Sequence, residues 1–106
     1  MSKERRRSPR VKVNLQARWE GVIEQQQATV TDLSRTGCFV LTGGKVQPKE
    51  LVRVEIEIPE GEPLVLWAEV VDAAFEIGFA VKFTSMTDDD EMRLRRFITE
   101  LLSNTV

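Results

Sequence analysis

Segments in which apolar and polar residues alternate place the strongest constraint on how this sequence can fold. Between residues 11 and 19 every second residue is apolar, and residues 52–58 repeat that pattern. Alternation with a period of two is typical of strands that bury one face. Further strands are predicted around residues 28–31, 38–41, 64–71 and 78–83, with turn-forming residues between them. The sequence therefore predicts a mainly β protein, built as a small antiparallel barrel or sandwich.

The C-terminal region changes to a helical period. Thr87 is suited to cap the N-terminus of a helix, and residues 88–91 are acidic, which the positive end of a helix dipole favours. One stripe of this helix is apolar and consists of Leu94, Phe97, Ile98 and Leu101. We predict a helix from about residue 87 that packs the stripe against the strands. A helix that binds a partner is the alternative.

The composition disfavours catalysis and zinc binding. Histidine is absent and Cys38 is the single cysteine, so the commonest general base and the commonest zinc ligand are both missing. Only carboxylates remain for a metal, which would suit magnesium or calcium rather than zinc. We predict no enzyme, no cofactor and no metal site. One cysteine cannot form an internal disulfide, which fits a reducing compartment.

The sequence shows no sign of membrane insertion or secretion. Its first residues are polar or charged with no apolar stretch behind them, and the longest apolar run is Leu64 to Ala68. A helix needs about 20 apolar residues to cross a bilayer. We therefore expect a cytoplasmic protein that does not insert into a membrane.

Positive charge is concentrated at the N-terminus. Residues 1–12 hold six basic side chains against one acidic side chain, whereas the other residues hold nine basic and sixteen acidic ones. Four of the basic residues lie close together, namely Arg5, Arg6, Arg7 and Arg10. Guanidinium groups grip phosphate or the O6/N7 edge of guanine through two hydrogen bonds and stack on purines. This basic segment is predicted to bind an anionic ligand, and a solvated tail is the alternative.

A second motif follows the predicted strand at 28–31 and has the form Asp32-x-Ser34-x-x-Gly37. Asp, Ser and Gly are common in turns, because the first two bond the local backbone and glycine tolerates positive φ. A plain turn is therefore one interpretation. In a functional interpretation Asp32 accepts hydrogen bonds from guanine, Ser34 bonds a phosphate or a base edge, and Gly37 lets a ligand approach the backbone.

Together the two motifs resemble the PilZ family, the bacterial receptors for cyclic di-GMP. The paired arginines of the family match Arg6 and Arg10, and its Asp/Asn-x-Ser-x-x-Gly element matches Asp32, Ser34 and Gly37. Residues 78–83 look like the late strand of the family, and the segment from Thr87 looks like its terminal helix. The resemblance covers nearly the whole chain. It implies a six-stranded antiparallel PilZ-type β-barrel with a C-terminal α-helix.

The resemblance also implies the organisation of the site. Residues 1–10 are expected to form a basic ligand-binding arm, and residues 11–106 the barrel domain with its helix. The predicted ligand-binding residues are Arg5, Arg6, Arg7, Arg10, Asp32, Ser34 and Gly37. The expected ligand is cyclic di-GMP, as one molecule or a stacked pair, and the expected output is an unidentified protein effector rather than DNA.

Two other functions fit parts of the sequence. A PilZ-like adaptor could act through protein contacts alone and bind no nucleotide, although both motifs are intact. A small RNA-binding barrel could use the basic arm, but it would need exposed aromatic residues beside the arginines, and residues 1–10 contain none.

Overall fold

A computed structural model of the protein describes residues 9–59, 61–74 and 77–103. These residues form six strands followed by one helix. The elements are β1 (Val11–Glu20), β2 (Gln25–Leu33), β3 (Gly37–Leu41), β4 (Leu51–Ile56), β5 (Leu64–Ala74), β6 (Gly78–Ser85) and α1 (Asp88–Ser103). The strands close into a barrel in the order β1-β2-β3-β6-β5-β4, and every pairing is antiparallel. The predicted barrel with a C-terminal helix is confirmed.

The barrel interior is filled by the apolar residues of the alternating strands. Trp19 is 1% exposed and meets Phe79 edge to face, with ring centroids 5.2 Å apart. Every second residue of β4 is fully buried, as its sequence pattern predicted. Burial of this surface, at about 25 cal/mol per Å², is the main force that stabilises the barrel.

The helix α1 closes one end of the barrel with the predicted apolar stripe. Leu94 and Ile98 are buried, and Phe97 and Leu101 pack against the core. Thr87 caps the helix, because its Oγ1 accepts a hydrogen bond from the backbone N–H of Asp90 at 3.1 Å. Within the described ranges no helix is both long and apolar enough to cross a membrane.

The opposite end is closed by a hydrogen-bonded cluster that we call the plug, comprising Trp19, Glu24, Gln26, Thr42 and Gly44. The Trp19 indole N–H donates to Thr42 Oγ1 at 3.2 Å, and the same oxygen accepts the backbone N–H of Gly44 at 3.2 Å. Thr42 Oγ1 in turn donates to Gln26 Oε1 at 3.2 Å. The plug therefore satisfies the polar groups that the end of the barrel buries.

Strand β2 is longer than the sequence predicted and contains a bulge. It continues to Leu33 instead of stopping before Asp32, and its register with β3 shifts between Val30 and Asp32. The extra residue is Thr31, which reverses the alternation. Val30 and Leu33 are both fully buried although they are an odd number of residues apart, and Asp32 consequently faces outward. The turn-forming residues from Asp32 onward predicted the end of the strand there, and that prediction is wrong, because Asp32 and Leu33 still pair with β3.

Candidate ligand-binding site

An open groove on the outside of the barrel collects the predicted site residues. Its volume is about 800 Å³, and it lies between the start of β1, the β2–β3 turn and the outer faces of β3, β5 and β6. The lining residues are Pro9, Arg10, residues 32–34 and 36–39, Val71 and residues 80–82. Arg10, Asp32, Ser34 and Gly37 are thus brought together. The predicted Arg5, Arg6 and Arg7 lie outside the described residues.

Asp32 sits on an exterior row of residues that crosses the barrel. In the strand register it faces Lys12 on β1 and Phe39 on β3, and Phe39 faces Ala80 on β6. The Asp32 carboxylate lies 3.4 Å from Lys12 Nζ, and the two side chains are 30% and 90% exposed. An ion pair that is so open to water is weak. The carboxylate therefore keeps oxygen lone pairs that can accept hydrogen bonds from a ligand.

Ser34 holds the β2–β3 turn in shape. Its Oγ accepts hydrogen bonds from the backbone N–H groups of Thr36 at 3.1 Å and Gly37 at 3.2 Å. Its proton is directed to the Gly37 carbonyl or to the Thr36 hydroxyl, each at 3.3 Å. The residue is only 6% exposed. The side chain therefore stabilises the turn at the edge of the groove, which is the role that the plain-turn interpretation expects.

Gly37 is required by packing between strands. Positive φ occurs among the described residues at Lys49, Gly61 and Gly78, and Gly37 does not share it. A Cβ atom on Gly37 would lie 2.2 Å from the carbonyl oxygen of Val81 on β6. The absence of a side chain lets β3 and β6 pair beside the turn, so a ligand is not the first reason for glycine here.

Cationic side chains surround the groove. Arg10 lies directly before β1, Lys12 faces Asp32 across the β1–β2 ladder, and Lys82 lies on β6 with its Cα opposite that of Gly37. All three are exposed. Among the residues that line the groove, the two cations Arg10 and Lys82 outnumber the one carboxylate, Asp32, so the groove favours an anionic ligand.

The floor of the groove is apolar and rests on the barrel core. Phe39 and Ala80 are partly exposed, and Val71 is 55% exposed because it follows the buried Val70 in the alternation of β5. Below them Cys38 is buried, and this burial raises the pKa of its thiol from 9.0 to about 12. An apolar floor with a carboxylate and cations at its margins suits a planar base that carries phosphates.

Several groove residues were missed by sequence reasoning. Four residues line the groove but are not among the predicted ligand-binding residues, namely Thr36, Phe39, Val71 and Lys82. Thr36 occupies a variable position of the Asp-x-Ser-x-x-Gly motif. The sequence pattern does predict that Phe39 and Lys82 point outward, because each of them alternates with buried residues along its strand. Two other exposed side chains with large contact surfaces, those of Arg35 and Trp67, do not line the groove. Among the described residues no three metal-ligating side chains cluster closely enough to hold an ion.

Comparison with known proteins gives the same fold. The family model of the PilZ domain matches residues 4–100. MotI/DgrA, the inhibitor of motility of Bacillus subtilis, superposes with a TM-score of 0.76 at 21% identity, over 94% of this chain and 52% of its own. This chain therefore spans about half the length of that protein. A search of curated proteins gives no match.

Two solved structures of isolated PilZ domains align with this chain over nearly their full length. The PilZ domain of CeSA, from a cellulose-synthesizing bacterium, gives a TM-score of 0.71 at 20% identity, over 90% of this chain and 99% of its own. The PilZ domain of Escherichia coli YcgR, solved with c-di-GMP, gives a TM-score of 0.75 at 16% identity. The match covers 93% of this chain and 92% of that domain. Because the family model matches almost the whole chain and solved PilZ domains share its barrel and helix, the chain belongs to the PilZ domain family.

Proposed function

We propose that this protein is a receptor for cyclic di-GMP that binds the nucleotide in the groove and performs no catalytic step. The observation that carries the proposal is the juxtaposition of Arg10 and Asp32 on one groove with an apolar floor. The PilZ domain of YcgR, which shares this fold, was solved with the same ligand. Cyclic di-GMP supplies two phosphates for the cations and two guanines for the carboxylate.

Guanine and the Asp32 carboxylate are complementary in their hydrogen-bonding groups. Guanine presents two neighbouring donors, its N1–H and its exocyclic amine, and an ionised carboxylate offers only acceptors. The outward position of Asp32 and its weak ion pair with Lys12 leave the carboxylate accessible to such an edge. Adenine lacks the N1–H donor, so the groove is expected to prefer guanine.

The arginines of residues 1–10 are proposed to close over the bound nucleotide. Arg10 already lies at the edge of the groove, and Arg5, Arg6 and Arg7 precede it closely in the sequence. Ordering a chain segment costs about 1–2 kcal/mol per residue, and charge-assisted contacts to the phosphates offset that cost. The ordered arm would change the surface that a protein effector meets in the cytoplasm.

Calorimetric titration of the purified protein tests this function. Cyclic di-GMP should bind more tightly than cyclic di-AMP, GTP or GMP. Arg10→Ala should weaken its binding roughly ten- to hundredfold, because a bidentate guanidinium contact contributes about 1–3 kcal/mol. The matched control is Arg18→Ala, which removes an exposed arginine of β1 away from the groove. Equal affinity for the adenine dinucleotide, or equal losses in the two variants, would contradict the proposal.

A further inference from the structure

The hydroxyl of Ser34 is fully engaged within the protein. A hydroxyl offers one proton and two lone pairs. The Ser34 oxygen already accepts two backbone N–H groups, from Thr36 and Gly37, and its proton has two acceptors within 3.3 Å. The residue is also only 6% exposed. The Ser34 hydroxyl therefore has little hydrogen-bonding capacity left for a ligand in the groove.

Thr36 presents another hydroxyl at the groove. It is exposed and lines the groove, and Ser34 is the hydrogen-bond partner found for its Oγ1 in the described part of the chain. When Ser34 donates to Thr36, the proton of Thr36 remains for an acceptor in the groove. Hydrogen bonds in such a chain polarise and strengthen one another.

Lys82 is fixed beside Thr36 by the β3–β6 ladder. The backbone N–H of Phe83 donates to the carbonyl of Thr36 at 2.8 Å, and Lys82 stands opposite Gly37 in the register. Since Gly37 carries no side chain, nothing from β3 covers the stem of Lys82 at that position. Glu69 on β5 is the cross-strand neighbour of Lys82, yet the two form no ion pair within 4 Å among the described residues. The ammonium group is therefore available to a ligand.

We infer that Thr36 and Lys82 together bind a phosphate of the nucleotide, on the side of the groove opposite Arg10. The inference rests on the proposed function and adds to it two residues that the motifs do not specify, because Thr36 occupies a variable position of the Asp-x-Ser-x-x-Gly motif and Lys82 lies outside both motifs. Lys82 supplies the charge and Thr36 the hydrogen bond, while Ser34 positions Thr36. Both residues recognise phosphate and neither reaches a base, so they strengthen binding without selecting guanine over adenine.

Calorimetry with cyclic di-GMP and cyclic di-AMP tests the inference on Lys82→Gln and Thr36→Val. Each variant should weaken both dinucleotides by about the same factor, three- to tenfold, and the guanine preference should remain. Lys82→Gln should also make the affinity less sensitive to salt, because it removes a charge that salt screens. The matched controls are Lys45→Gln and Thr84→Val, which change exposed residues outside the groove and should bind as the unchanged protein does.

The possible outcomes separate the two proposals. If the unchanged protein binds cyclic di-GMP and Lys82→Gln binds it equally well, the phosphate contact is wrong and the proposed function stands. If Lys45→Gln loses as much affinity for cyclic di-GMP as Lys82→Gln does, the effect comes from the overall charge of the protein, and the proposed phosphate contact is also wrong. Thermal unfolding of Thr36→Val, in which the Ser34 bonds to the backbone remain possible, excludes a folding defect as the cause of its weaker binding. A protein without affinity for cyclic di-GMP would overturn both proposals.

Discussion

The groove and the plug are both rich in polar groups, but they use them differently. In the plug, Thr42 Oγ1 joins the Trp19 indole, Gln26 and the Gly44 backbone, so its bonding capacity is filled from within the protein. In the groove, Asp32 has one weak ion pair, and no ion pair of Lys82 occurs in the described part of the chain. Polar groups that are satisfied internally stabilise the fold, whereas accessible groups with spare capacity are free to bind a ligand.

Ser34 and Gly37 complicate this contrast, because they belong to the groove by position and to the fold by their contacts. Ser34 bonds its own turn, and Gly37 makes room for the Val81 carbonyl. The two residues share one motif with Asp32, which faces outward. The Asp-x-Ser-x-x-Gly motif therefore joins one residue that is available to a ligand with two that shape the turn.

Gly37→Ala should give the largest effect on stability. Its Cβ would lie 2.2 Å from a backbone oxygen, which cannot move without disturbing β6, so we expect a loss of about 3 kcal/mol or failure to fold. Gly43→Ala is the matched control, since a Cβ there meets nothing within 4 Å. Urea unfolding measures both variants. A Gly37→Ala protein of normal stability that has lost only ligand binding would assign the glycine to the ligand instead.

Ser34→Ala and Thr42→Val should destabilise the protein to a similar extent but differ in their effect on ligand binding. Each removes an acceptor that serves two N–H groups, and a buried donor without a partner costs about 1–3 kcal/mol. Only Ser34→Ala should weaken cyclic di-GMP binding, because it releases the turn that positions Thr36. Thermal unfolding and calorimetry check the pair. If Ser34→Ala weakens binding at unchanged stability, the serine touches the ligand directly.

Asp32→Ala should have the opposite profile to Thr42→Val. Its ion pair with Lys12 is too exposed to stabilise the fold by more than about 1 kcal/mol, so the unfolding free energy should hardly change. Affinity for cyclic di-GMP should fall about tenfold and the preference over cyclic di-AMP should disappear. The control is Asp72→Ala, which removes a carboxylate of the same exterior row outside the groove. If Asp32→Ala keeps the preference for cyclic di-GMP over cyclic di-AMP, Asp32 does not belong to the ligand-binding site.

Cys38, at the boundary between groove floor and core, should give the smallest effect. Its pKa is about 12 in the folded protein, against an ordinary value of 9.0, so the unfolded chain ionises first as the pH rises. The stabilising effect of the neutral thiol is complete below pH 9 and is lost above it. Between pH 8 and pH 10 the difference in unfolding free energy between the unchanged protein and Cys38→Ala should shift by about 1 kcal/mol. A difference that is independent of pH would place the thiol in contact with water.

The sequence predicted the elements of the fold well because their signals are local. Alternation marks the strands, and the cap at Thr87 with the stripe around Leu94 marks the helix. The bulge at Thr31 has no such local signal, and the turn-forming residues that follow it predict the end of the strand instead. The outward position of Asp32 therefore followed from the motif resemblance and not from the pattern.

The rest of the groove depends on contacts between distant segments. The reason for Gly37 is the Val81 carbonyl on another strand, and the proximity of Thr36 to Lys82 follows from the pairing of β3 with β6. No local pattern encodes these neighbours. The roles of Arg5, Arg6 and Arg7 remain predictions, because these residues lie outside the described part of the chain.

The central claim is that the groove binds the nucleotide and the plug does not. An NMR titration of the isotope-labelled protein with cyclic di-GMP tests it most directly, because each backbone amide and indole N–H reports its own surroundings. The account predicts large shift changes at Asp32, Thr36 and Lys82 and an unchanged indole signal from Trp19, which is buried in the plug. Shift changes centred on Trp19 and Thr42 with a silent groove would contradict it.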